Sequence, residues 1–283
     1  MDKSTTSLRH LVRLWHLHLW LDLLWIARDW RSALIFIFID LFTSLSVASS
    51  TFLIAARFDG IGDWTFAHIV FMVGFGLIVK SILSMFVSFN ILEISRRIGR
   101  GQLDHILIQP RPMWVAFITE GLAPVSEGFS IFPGLFALGW AIYALGLPIT
   151  IGWLIAVVAN AFAAAAIVAS FSWSIGSVAF WAPRAGEEIC SSVMSVVNGL
   201  SSFPLDNASR RLQTVLLTAM PVGFVAWLPS RALTGIDPSP EGLLWTPLAA
   251  FGFIAVAIAI FRKGLQEYER TGSRRYLSMG HRR

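Results

Sequence analysis

The sequence predicts an all-α polytopic membrane protein with six transmembrane helices, an N-terminal amphipathic elbow helix and a re-entrant helical hairpin before the last span. Of its 283 residues, 55% are hydrophobic and 14% are charged, whereas soluble domains contain about 25% charged residues. Several apolar windows of about 18 or more residues are long enough to cross a bilayer. The basic residues cluster at the ends of these windows, as the positive-inside rule requires.

Residues 1–31 are expected to form a cytoplasmic interfacial elbow helix. From Leu8 to His16, a helical projection places apolar side chains on one face and arginine or histidine side chains on the other. This pattern is typical of a helix that lies in the membrane interface. Because the chain becomes apolar nearly all round after Leu17, a short extra span from Leu11 to Ala27 is the alternative interpretation.

Residues 32–262 make up the predicted transmembrane domain. Its six apolar runs are 32–56, 64–89, 128–147, 151–181, 189–203 and 243–261, of which the fifth is short. Pro124 divides a run that is too long for one straight span, so residues 113–127 are expected to lie near the inner surface. Residues 182–188 are expected to form a polar loop, and residues 263–283 a basic cytoplasmic tail.

The segment 204–240 is only intermittently apolar, and prolines interrupt it, among them Pro204, Pro221 and Pro229. Its apolar pieces are too short to cross a bilayer. Broken helices at membrane depth are tolerated where protein or water covers their backbone. We therefore expect a re-entrant hairpin on the outer side of the membrane.

The distribution of lysine and arginine sets the predicted orientation. Five lie in the N-terminal section, four in 93–112, one in 182–188 and seven from Arg262 onward, whereas the opposite side carries four. Both termini are therefore expected in the cytoplasm. The formal net charge of +5 follows from this topology, so no nucleic-acid partner is expected. The tryptophans interpreted as an outer aromatic belt are Trp64, Trp153, Trp227 and Trp245.

The chain lacks a phosphate-binding loop, because none of its three lysines follows a glycine as the G-x-x-x-x-G-K-[ST] pattern requires. ATP is therefore not expected to bind to this chain by that route. A single cysteine, Cys190, excludes an internal disulfide and a cysteine metal cluster. We predict no catalytic residue, metal site or cofactor on this chain.

Four charged residues are candidates for a translocation path. Asp40 and Lys80 lie inside the first and second spans, at depths that allow an ion pair between them. Such a pair either holds two helices together, which we favour, or carries charge into a substrate path. Glu120 and Glu127 are seven residues apart and share one helix face. They either line a cavity that attracts cations or, as we favour, lie wet at the interface.

The segment 91–114 is a long polar interruption between the early apolar runs, and the charge count places it in the cytoplasm. Residues 93–100 are expected to form a short helix that ends at Gly101. A second short apolar face follows and ends before Pro110. If the protein receives a signal from a soluble partner, we expect the signal to arrive at this segment.

Three stretches together resemble the permease subunits of bacterial type-2 ABC transporters of the exporter type. The stretch GQLDHILIQPRP at 101–112 resembles the family's G-x-L-D-x-x-L-x-x-P, and FW at 180–181 is followed by an acidic turn at 187–188. Residues 203–235 resemble the family's proline-punctuated segment, although residues 113–130 depart from its pattern. The matching residues of the third stretch are Pro204, Arg211, Leu212, Pro221, Val222, Pro229 and Gly235.

The resemblance implies two permease chains, identical or homologous, that clasp two cytoplasmic ATP-binding subunits at the bacterial inner membrane. ATP and Mg²⁺ then bind to those subunits, and membrane lipids surround the permease. The segment 91–114 becomes the coupling segment. The residues expected to form the contact with the ATPase are Ile94, Arg96, Arg97, Arg100, Leu103, Asp104 and Leu107.

The expected function is export of a small hydrophobic or cationic compound of drug type, or of a lipid-like substrate. The alternative is an ion-coupled secondary transporter or a channel without an ATPase. Such proteins often have broken helices at corresponding positions in two halves. Here the breaks lie in the C-terminal third, which argues against that alternative.

Overall fold

The fold was obtained as a computed structural model, which describes residues 8–58, 62–86, 94–99, 103–108, 125–126, 128–237, 239 and 241–271. These residues form helices and short connections, with no strand among them. The predicted all-α class is therefore confirmed for this part of the chain. Four described helices are long and apolar enough to cross a membrane: Trp30–Leu53, Phe66–Phe86, Ile151–Phe180 and Gly242–Arg270.

The first two helices are long and nearly continuous. Helix α1 spans Leu8–Arg28 and helix α2 spans Trp30–Phe58, with a bend at Asp29 between them. The Asp29 carboxylate accepts a hydrogen bond from the Ser32 backbone N–H at 3.3 Å, which caps the start of α2. Helix α1 is not among the four helices above, and its interfacial placement stays a prediction.

Helix α3 (Phe66–Phe86) is the central helix of the core and is buried over most of its length. It is followed by two short helices, α4 (Ile94–Gly99) and α5 (Leu103–Leu107), and then by α6 (Ile131–Leu145). At the crossing of α3 and α6 a Cβ added to Gly74 would lie 2.9 Å from the Leu138 nitrogen. A Cβ added to Gly134 would lie 3.1 Å from the Gly74 carbonyl oxygen, so glycine sets this close approach.

Helix α7 spans Ile151–Gly176 and runs into a 3₁₀ turn at Ser177–Phe180. Helix α8 then spans Pro183–Leu200. The prediction of a polar loop at 182–188 is therefore wrong, since six of its seven residues open α8. Pro183 lies at the first helical position, where its missing N–H needs no partner.

The segment 204–240 contains three short helices where a single hairpin was expected. They are α9 (Arg210–Thr218), α10 (Val222–Val225) and α11 (Trp227–Thr234). Pro221 separates α9 from α10, and Pro229 lies in the first turn of α11, where a missing N–H costs nothing. The re-entrant placement of this segment stays a prediction.

Helix α12 (Gly242–Thr271) is the longest, with 30 residues and a length of about 45 Å. Helix α6, with 15 residues, spans about 22 Å and is shorter than a hydrocarbon core of about 30 Å. Helices α6 and α8 are not among the four candidate spans, so the count of six spans stays a prediction. Helix α3 packs against α2, α6, α7 and α11, and α7 packs along α12.

Candidate functional sites: an internal cleft and the segment at one end of it

A cavity of about 270 Å³ opens between α2, α3, α7 and α8, with α10 at one end. Lys80 lies in its wall, together with hydroxyl and amide side chains and the apolar side chains of α3. The polar residues that line this cavity, besides Lys80, are Thr43, Ser44, Asn198, Ser201 and Ser202.

A second cavity of about 730 Å³ continues from the first towards α4. The two share Lys80, Leu83, Val168 and Asn198 in their walls, so they adjoin each other, and we call the pair of cavities the cleft. The wall of the second cavity is again rich in hydroxyl groups, and an ion pair lies at its α4 end. The polar residues added there are Ser84, Ser95, Arg96, Ser172, Glu187, Ser191 and Ser195.

Asp40 and Lys80 form an ion pair, with 2.9 Å between the Lys80 Nζ and the Asp40 Oδ1. The ammonium also donates a hydrogen bond to the Ser44 hydroxyl at 2.7 Å. The Lys80 side chain is 44% exposed and lines the cleft, whereas Asp40 is 19% exposed and lies behind it. The sequence-based expectation of a possible pair therefore agrees with the geometry, while a role in transport stays a prediction.

The second oxygen of Asp40 fixes the start of α6. Its Oδ2 accepts a hydrogen bond from the Ser130 backbone N–H at 3.0 Å, and the Ser130 hydroxyl lies 2.9 Å from the Ser81 hydroxyl of α3. Ser130 precedes α6 and makes no side-chain cap of its own. Asp40 therefore caps α6 from another helix and ties α2, α3 and α6 together.

A similar contact was missed by the sequence analysis at Asp22 of α1. Its Oδ2 accepts hydrogen bonds from the backbone N–H groups of Val125 and Ser126, at 2.7 and 3.0 Å. The signal was a lone acidic residue on an otherwise apolar part of α1. The predicted site residues Glu120, Glu127 and Arg100 lie outside the described residues.

Helices α4 and α5 pack onto the ends of α7 and α12 and form a second, smaller core. Ile94 and Leu103, both predicted to contact an ATPase, are fully buried in it. Direct contact with a partner is therefore left to the outward side of the segment, where Ile108 is 80% exposed. The buried members of this core, which we call the anchor cluster, are Ile94, Ile98, Leu103, Ile106, Ala179, Phe180, Phe261 and Tyr268.

Two polar contacts reinforce the anchor cluster. The Tyr268 hydroxyl donates a hydrogen bond to the Asp104 Oδ1 at 2.8 Å, across 164 positions of sequence. The Arg96 Nε lies 3.2 Å from the Glu187 Oε1 and joins α4 to α8. Both Arg96 and Asp104 were predicted to contact the ATPase, and the structure also gives each a bond to this chain's own helices.

Glycines make the anchor cluster possible, because they let side chains sit directly on a backbone. A Cβ added to Gly264 would overlap the Phe180 ring, and one added to Gly176 would overlap the Ile94 side chain. The Phe180 ring also lies between Phe261 and Tyr268, with ring centroids 5.4 and 5.9 Å away. The α4–α5 segment is therefore held on α7 and α12 by close packing.

At the opposite end of the bundle, the Asp206 carboxylate gathers three donors. Its Oδ2 accepts the indole N–H of Trp64 and, at 2.6 Å, that of Trp227, while its Oδ1 lies 2.6 Å from the Arg231 Nη1. Trp64 and Trp227 are 0% and 4% exposed, so the interpretation of these two as aromatic-belt residues is wrong. Their indole N–H groups donate to a partly buried carboxylate, since buried indole N–H groups usually find a partner.

The Asp206 contacts fasten the connection between α8 and α9 to α3 and α11. Gln213 of α9 adds a hydrogen bond from its Nε2 to the Leu205 carbonyl oxygen at 2.8 Å. Sequence reasoning missed Asp206, although an acidic residue two positions after Pro204 was the available signal. Among the described residues, no three His, Cys, Asp or Glu side chains converge as metal ligands.

An all-helical bundle with four membrane-length apolar helices and a hydroxyl-lined internal passage defines a multi-pass membrane protein. Residues 41–272 match the family model described as ABC-2 family transporter protein, and the chain belongs to that family. It is thus a permease component, whose ATPase lies on a separate chain. Neither the curated proteins nor the solved structures yielded a match to the chain.

Proposed function

We propose that the chain is the membrane subunit of an ATP-driven exporter in a bacterial inner membrane. It works with two copies of a cytoplasmic ATP-binding subunit, which bind ATP and Mg²⁺, and with a second permease chain, identical or homologous. The observation that carries this proposal is the family match over 41–272, together with a cleft whose wall reaches from α10 to Arg96 beside the anchor cluster. The proposed cargo path and the proposed docking segment are thus adjacent in one chain.

The α4–α5 segment is the proposed docking element for the ATP-binding subunit. The anchor cluster holds its inner side, and the outward side presents His105, Leu107 and Ile108. Closure of the ATPase on ATP would displace the segment together with the ends of α7 and α12, because close packing transmits a push. The bundle would then re-tilt between inward-open and outward-open states.

The cleft is the proposed cargo path of this chain. Its walls combine apolar side chains of α3 and α7 with the hydroxyls of α2 and α8, which suits a small amphipathic compound of drug type or a lipid-like molecule. A cationic cargo would need acidic side chains in the cleft wall. Among the described acids, Asp40 binds Lys80 and Ser130 and lines neither cavity, and Glu187, which lines the second, is paired with Arg96, so we favour a cargo without a positive charge.

The proposed topology has six spans with both termini in the cytoplasm, α1 as the interfacial elbow and α9–α11 as the re-entrant outer segment. The lysine and arginine distribution supports this orientation. Helices α6 and α8 serve as the third and fifth spans, although α6 is shorter than the hydrocarbon core of a bilayer.

Co-purification of an ATP-binding subunit tests the proposed function. Tagged wild-type chain should bring down a soluble ATPase encoded beside it, and Ile108→Glu should weaken that capture at least tenfold, since a charge replaces an 80% exposed apolar contact. The matched control is Ile149→Glu in the α6–α7 connection, also an exposed isoleucine, which should leave capture unchanged.

A wild-type chain that purifies alone and transports with an ion gradient in the absence of ATP would overturn the proposal. That result would establish the alternative of an ion-coupled secondary transporter or channel.

A further inference from the structure

We propose that the cleft selects amphipathic molecules with an anionic head, and that Lys80 is the residue that recognises the charge. This inference rests on the proposed function for its transport meaning, but the binding site itself is defined by the cleft alone. Among the described residues that line the two cavities, the charged ones are Lys80, Arg96 and Glu187. Arg96 and Glu187 face each other at 3.2 Å at the α4 end, which leaves the Lys80 ammonium as the charge in the middle of the passage.

Asp40 does not neutralise the positive charge that Lys80 presents to a molecule bound in the cleft. The Asp40 Oδ1 accepts a hydrogen bond from the Lys80 ammonium, and Oδ2 accepts one from the Ser130 backbone N–H. The negative charge of Asp40 is therefore shared with the positive end of α6. Asp40 is also 19% exposed and absent from the cleft wall, whereas the Lys80 side chain is 44% exposed and forms part of that wall. The pair therefore presents its positive end to the cleft.

The surroundings of Lys80 fit a polar head on an apolar body. Ser191 and Ser195 lie one turn apart on α8, and Asn198 follows on the same side, where both cavities meet. Hydroxyl and amide groups donate hydrogen bonds to anionic oxygens at little cost. Leu83 and Val168 line both cavities next to Lys80 and offer contact to a hydrocarbon part. A quaternary ammonium head would instead meet a like charge in a low-dielectric passage.

Binding of a matched pair of probes tests the inference. The two probes are fluorescent NBD-labelled dodecyl chains, one ending in a sulfonate and the other in a trimethylammonium group. The full-length chain, purified with the subunits it brings along, is placed in phosphatidylcholine nanodiscs, and binding is followed by fluorescence anisotropy. Wild type should bind the sulfonate probe about tenfold more tightly than the trimethylammonium probe. Lys80→Gln should reduce that preference to less than twofold, and Lys80→Arg should keep it.

The matched control is Lys263→Gln, the same substitution at an exposed lysine of α12 away from the cleft, which should preserve the preference. Equal or tighter binding of the trimethylammonium probe by wild type would overturn the inference, as would a preference that survives in Lys80→Gln.

Replacing part of the phosphatidylcholine by phosphatidylglycerol assigns the source of the anion. Competition with the sulfonate probe identifies a membrane lipid, and its absence identifies a cargo that enters from water. Failure of the chain to capture an ATPase would contradict the proposed function. It would not change the result of this binding experiment, which measures the affinity of the two probes.

Discussion

Single residues hold the two ends of this bundle by different means. At one end the Asp206 carboxylate binds two indole N–H groups and a guanidinium; at the other, Phe180 rests on the backbone of Gly264. A carboxylate that is only 19% exposed depends on its donors, because each removed charge-assisted bond leaves a partly buried group unpaired. The Asp206 contacts are therefore strong and specific.

Replacement of Asp206 by asparagine should destabilise the protein by about 1–3 kcal/mol, since the guanidinium of Arg231 loses its ion-pair partner and the single amide oxygen cannot serve both the two indoles and Arg231. Thermal unfolding of the purified protein, followed by tryptophan fluorescence, measures this loss. Asp63→Asn, at an exposed aspartate beside Trp64, is the matched control and should unfold at the wild-type temperature. Identical unfolding of both variants would contradict the structural role of Asp206.

Elements of this chain divide into long helices and the short pieces that connect them. The predicted run 32–56 lies within two residues of both ends of α2, and the run 151–181 matches α7 together with the 3₁₀ turn that follows it, because composition alone decides what a bilayer accepts. The start of α8 was missed, because its polar first turns were taken as a loop, although a proline at the first helical position, here Pro183, is typical of a helix N-terminus. Polar character alone does not distinguish a loop from an amphipathic helix.

The packing of α12 against the 3₁₀ turn can be tested with two alanine substitutions on one helix. Gly264→Ala should displace Phe180, loosen the anchor cluster and reduce both thermal stability and ATPase capture, because the added Cβ would overlap the ring. Gly252→Ala meets no atom within 4 Å and should be neutral, or stabilise by up to about 1 kcal/mol through helix propensity. If both variants behave alike, the close contact between α12 and Phe180 is wrong.

At the scale of the whole molecule, the described helices have a largely apolar exterior, and the cleft between them carries Lys80 and several hydroxyl groups on a mainly apolar wall. The class of fold was predictable because few charges and long apolar windows leave no soluble alternative. The network around Asp206 and the Asp104–Tyr268 bond could not be predicted, since they join residues that lie 142 and 164 positions apart in the sequence. No local pattern indicates which distant donor a carboxylate will find. The Asp40–Lys80 pair could be predicted from the sequence, because the two residues lie in consecutive spans and the rise per residue gives the depth of each in the membrane.

The orientation of the whole chain can be measured by cysteine labelling. In a Cys190→Ser background, which removes the single cysteine, Asn207→Cys should react with a membrane-impermeant maleimide in intact cells. His105→Cys should react only after the cells are opened, because the charge distribution predicts a cytoplasmic position for α5. Both positions are exposed, so accessibility differs by side alone. Labelling of both, or the reverse pattern, would contradict the proposed topology.

The anchor cluster also has a consequence for biosynthesis. Half of its partners for α4 and α5, Phe261 and Tyr268, come from the C-terminal part of α12, and Tyr268 lies 164 positions beyond its partner Asp104. A nascent chain that carries only the first spans has Ile94 and Leu103 without these partners. The surface proposed to receive the ATPase is therefore completed only after α12 has been synthesised and packed. We expect a chain truncated before α12 to lose capture of the ATP-binding subunit.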